Sequence, residues 1–92
     1  MTDNEKIEAT VSEITRLLED YDDGLRDLND TMTLLLEKRY IFSHIDNDDA
    51  AFMMAKLDRV MAIILINESN YIDPSGSVAL MKETKFSWKK EE

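Results

Sequence analysis

A chain of 92 residues without cysteine is long enough for one small domain, and a monomer of that size buries only about 60 % of the surface its unfolded form exposes. Disulfides, thiolate metal sites and thiol nucleophiles are excluded, so stability must come from packing, with help expected from a second copy or a partner. The net charge of −9 repels nucleic acid and anionic membrane, because phosphate binding needs clustered Lys and Arg.

The acid is an N-terminal property: residues 1–30 hold ten acids and three bases, whereas 71–92 hold four of each. A basic protein is therefore the natural partner. The N-terminus MTDNEK lacks a basic region followed by an apolar core, and the most apolar stretch, MAIILI at 61–66, is far shorter than the ~20 residues of a membrane span. These features predict a soluble, cytoplasmic protein with no membrane contact.

From Ile7 the apolar residues fall at Val11, Ile14, Leu18, Tyr21, Leu25, Leu28, Met32 and Leu35, alternating steps of four and three. Sustained a/d spacing marks helices that pack along a coiled-coil or bundle seam. The spacing predicts one helix from about Asn4 to about Ser43, capped by Thr2 or Asp3, a rod of roughly 60 Å. Within it lies EDYDDG, and six acids occur between Glu19 and Asp30. Gly24 does not shift the register, so it is expected to stay helical at a cost of about 1 kcal/mol, with the acids on the outer face. A calcium loop is excluded by spacing, since Gly24 at its sixth position would put Tyr21 where the third needs a carboxylate. No metal site and no cofactor are expected.

DNDD at 46–49 supplies a loop and an N-cap, with acids in the first turn of a second helix where the helix dipole favours them. Its seam is Met53, Leu57, Val60 and Ile64, widened by Ala50 and Met61. About 18 residues give roughly 27 Å, so folded back antiparallel this helix covers only half of the first. Ile7, Val11, Ile14, Leu18 and Tyr21 are left bare, and they are the expected oligomer interface, most simply of a dimer. The fold class that follows is all-α: a long helix and a shorter antiparallel one form a helical hairpin over 1–70, within a dimeric bundle or coiled coil.

Pro74 and Gly76 in NESNYIDPSGS mark a boundary, after which 71–92 form a C-terminal arm. Val78, Leu80, Thr84, Phe86 and Trp88 alternate like a strand, whereas Asp73 before Pro74 suits a helix cap. The expected arm is irregular or a short strand. Phe86 and Trp88 either dock on the second helix or anchor a partner, since aromatics dominate hot spots.

No catalytic constellation is present. His44, beside Ser43 and near Asp46, lacks both triad geometry and an oxyanion-forming glycine motif. Arg39 occupies the next seam position and either reaches solvent or forms a buried, register-setting pair with Asp46 or an acid of the second helix such as Asp58. The expected function is a non-catalytic acidic protein-binding module that self-associates and sequesters, inhibits or chaperones a partner. Asp20, Asp23, Asp27 and Asp30, with Phe86 and Trp88, are its expected contacts. The alternative is a structural subunit whose apolar stripe joins copies into a larger complex.

Overall fold

The computed structural model describes residues 2–70 and Met81. Three helices form there, α1 (Asp3–Asp22), α2 (Leu28–Ser43) and α3 (Asp48–Asn70), and no strand occurs among the described residues. None of these helices is long and apolar enough to cross a membrane. The arm expected over 71–92, with Phe86 and Trp88, lies outside the described residues except for Met81, which is helical and buried.

α1 starts with a reciprocal cap. The Thr2 hydroxyl accepts the Glu5 amide at 3.2 Å, and the Glu5 carboxylate accepts the Thr2 amide at 3.4 Å. Two donors that a helix start leaves unpaired are thereby satisfied. The predicted seam residues Ile7, Val11, Ile14 and Leu18 are buried, joined on the same face by Thr10 and Leu17. Thr10 gives its hydroxyl hydrogen to the Lys6 carbonyl at 2.7 Å, so its burial leaves no free donor.

The single long helix is corrected. α1 stops at Asp22, and Gly24 takes a φ of +78°, a conformation that costs other L-residues about 1 kcal/mol or more. The Gly24 amide donates to Tyr21 at 3.1 Å and the Leu25 amide to Asp20 at 2.8 Å. This pair of bonds is the Schellman arrangement, which satisfies carbonyls that a helix end would otherwise orphan. α2 then begins on Asp27, whose carboxylate accepts the Asp30 amide at 2.7 Å. Leu25, assigned to the seam by spacing, stands 76 % exposed in the turn.

The break lets α1 fold back. Glu13 pairs with Lys38 and Asp20 with Arg26, so α1 and α2 run antiparallel. At the far end Asn47 caps α3 by accepting the Asp49 amide at 2.7 Å, and its side-chain amide donates to Asn4 at 3.2 Å. The starts of α1 and α3 are thus tied together. α2 packs against both neighbours, and Leu35 and Phe42 meet Met53, Leu57, Val60 and Ile64 in one core with the α1 seam. The residues expected at an oligomer interface lie along this core. Ile7, Val11, Ile14 and Leu18 are covered by this chain, and Tyr21 packs half-buried against the same core.

Energetics favour this arrangement. Burying a Leu or Ile contributes about 1.5–3 kcal/mol, so four bare seam residues would forfeit an amount comparable with the ~5–15 kcal/mol stability of a whole domain. The turn costs little, because glycine adopts its φ freely and the caps satisfy the backbone.

Gly24→Ala tests the break by its sign. A Cβ at this position would meet nothing within 4 Å, so only backbone strain acts, and urea denaturation should show a loss of about 1 kcal/mol. In a continuous helix the same change would raise stability by about as much.

Candidate functional site

Two features of the surface stand apart: the acidic turn between α1 and α2, and an apolar strip along α2. The turn is not the uniform outer face that the spacing predicts. Arg26 sits inside it, with its guanidinium 3.5 Å from Asp20 and 2.7 Å from Asp30. Asp27 is spent as the α2 cap and Asp23 as the C-cap residue of α1. Of the four expected partner-binding acids, three therefore hold the turn together, and Asp23 stands exposed at its edge. Phe86 and Trp88, the remaining expected contacts, lie outside the described residues. No group of three or more His or acid side chains is placed to hold a metal among the described residues.

The two cations in the middle of α2 are turned to other helices. Lys38 pairs with Glu13 of α1. Arg39 grips Asp58 of α3 through Nε at 2.9 Å and a terminal nitrogen at 3.4 Å, so the pairing with an acid of this helix forms, but at the surface and not buried. The pair is half-exposed, so it contributes about 0–1 kcal/mol and fixes orientation more than stability.

At the end of α2, Ser43 donates to the Tyr40 carbonyl at 2.6 Å. The His44 ring stands edge-on to Tyr40 with centroids 4.4 Å apart. The Ser43 hydroxyl is thus directed to backbone, and His44 to an aromatic ring.

The outward side of α2 carries what the sequence did not single out. Thr33, Leu36, Glu37, Tyr40 and Ile41 line a shallow groove of about 560 Å³. They recur at i, i+3, i+4, i+7 and i+8, so one helix face presents them all. Leu36 is 55 % and Tyr40 66 % exposed, although side chains of their kind are normally covered when they cluster. Among the described residues, Glu37 is the one charged residue lining the groove, and it makes no ion pair. A smaller depression of about 230 Å³ lies between α1 and α2. Two of its three cations, Arg26 and Lys38, already hold acids. It therefore offers little to an anion.

Because the acids of the turn have separate duties, their removal should have separate costs. Asp27→Ala should lower stability by about 1 kcal/mol through loss of the cap, while Asp23→Asn should stay within about 0.5 kcal/mol of the parent. Urea denaturation of both variants checks this; equal losses would mean that the cap carries no special stabilisation. No family model matches the chain, and no match is found among curated proteins or solved structures, so its function must be read from these surfaces.

Proposed function

We propose that the chain is a non-catalytic, acidic protein-binding module that uses the outward face of α2 to sequester, inhibit or chaperone a partner protein. The observation that carries this is the exposure of Leu36 and Tyr40 side by side in a groove, on a chain whose other long apolar stripe is already covered. Tyrosine supplies a large, stiff contact area with a polar tip, and interface hot spots are enriched in it. The acidic field speeds encounter with a basic partner, while the apolar contacts set how long the complex lasts.

A second reading has an observation of its own. α3 also presents apolar side chains outward, with Phe52, Leu65 and Ile66 all close to half-exposed. Two apolar faces on one small chain suit an assembly subunit that joins neighbours on both sides. The mass of the pure protein separates the two readings. A mass that keeps climbing with concentration, without settling at a small oligomer, favours assembly.

The binding face is tested by capture from the native source, with the parent and the double variant Leu36→Ser/Tyr40→Ser as baits. Both residues are exposed, so circular dichroism should show an unchanged fold. A protein held by the parent should bind the variant at least ~10-fold more weakly, the effect of losing about 1.4 kcal/mol. Equal retention by both baits would remove α2 from the binding face.

A further inference from the structure

The geometry points to a cationic amphipathic helix as the occupant of the α2 groove; this rests on reading the chain as a protein-binding module. Its apolar stripe lies across Leu36 and Tyr40, and its cations reach Glu37 and the acids that follow α2.

Charge distribution carries the assignment. Glu37 is exposed and makes no ion pair among the described residues. The adjacent cations, which would otherwise attract an acidic ligand, are drawn away to Glu13 and Asp58. Beyond the end of α2, Asp46 and Asp48 are exposed, so a ligand that extends past this end meets further acid. An acidic or neutral peptide would find the apolar contact but no electrostatic complement. A second copy of the chain brings another −9 and is opposed by like charge.

Shape argues for a helix. The lining residues rise over two turns of α2, about 12 Å, and present a ridge with spacings of three and four. Such a ridge packs into the matching groove of another helix. Amphipathic helices dock on apolar surfaces in this way through anchors at i, i+3 or i+4, and i+7. An extended strand would need an open sheet edge, and no strand occurs among the described residues.

The experiment uses the full chain and three synthetic peptides of about 18 residues, long enough to hold a helix on docking. One carries a leucine stripe with lysines on the opposite face. The second has the same stripe with glutamates, and the third has the composition of the first scrambled so that no stripe forms. Fluorescence anisotropy at two salt concentrations reads the binding. The lysine peptide should bind at least tenfold more tightly than either of the others. Glu37→Gln should weaken it severalfold and flatten its salt dependence, and Leu36→Ser/Tyr40→Ser, which leaves the charge unchanged, should weaken it at least tenfold.

Equal binding of the scrambled lysine peptide, or full binding by the double variant, would reduce the effect to general attraction between acid and base and overturn the proposal. Equal binding of the lysine and glutamate peptides would overturn the charge assignment. Absence of binding by all three would overturn the helical occupant. In the last two cases capture by the α2 face of a native protein would still stand or fall on its own result, so failure here is distinguishable from failure of the protein-binding reading.

Discussion

Everything in this fold depends on the chain reversing within the five residues from Asp23 to Asp27. Gly24 supplies a positive φ, the amides of Gly24 and Leu25 close back on α1, and Asp27 opens α2. Arg26 lies across the reversal with an acid from each helix. None of these contributions is large alone. Together they let α1 return along α2, and the return places Ile7, Ile14 and Leu18 in the same core as Leu35, Phe42 and Leu57. A chain of 92 residues has too little apolar surface to leave one such stripe outside, and the reversal makes a second subunit unnecessary for covering it.

Once the three helices share a core, the surface is what remains. Among the described residues, the buried faces of α1, α2 and α3 account for nearly all of the residues with heptad spacing, and apart from Leu25 in the turn the exposed large apolar side chains divide between two helices. On α2 they are Leu36 and Tyr40; on α3 they are Phe52, Leu65 and Ile66. Lys56 lies over the Phe52 ring at 5.2 Å, which gives that aromatic a partner within the chain. Tyr40 has the edge of the His44 ring against it and remains the most exposed of these five side chains.

Periodicity located the core better than it located the turn. Val11, Ile14, Leu18, Leu35, Met53, Leu57, Val60 and Ile64 follow from spacing, and all are buried. The break was hidden because the reversal happens to keep phase: Tyr21, Leu25 and Leu28 continue the alternation of four and three although Leu25 points into solvent. Gly24 and the Asp27 cap were visible, but a helix-interior glycine costs only about 1 kcal/mol, too little to outweigh an unbroken pattern. The decisive quantity was the burial gained by folding back, which belongs to tertiary packing. The groove was hidden for a related reason. In Leu34, Leu35 and Leu36 a helix points consecutive side chains about 100° apart, so one of them must face away from any single seam. Whether that side is covered depends on where α1 and α3 lie.

The pairing of Lys38 with Glu13 and Arg39 with Asp58 connects the fold to the proposed role. These ion pairs are exposed, and their stabilisation is small. Their larger effect is on what the surface looks like from outside. Unpaired, two cations beside an apolar groove would attract acidic segments, including the acidic N-terminal half of another copy of this chain. Turned inward against α1 and α3, they leave Glu37 as the charge at the groove among the described residues. On the proposed reading, a net negative charge opposes the joining of such strips between copies at long range without blocking the strip. The same charge admits a cationic ligand. Discrimination between partners then comes as much from repulsion of the wrong one as from attraction of the right one, and in this chain both effects depend on which neighbouring helix each cation faces.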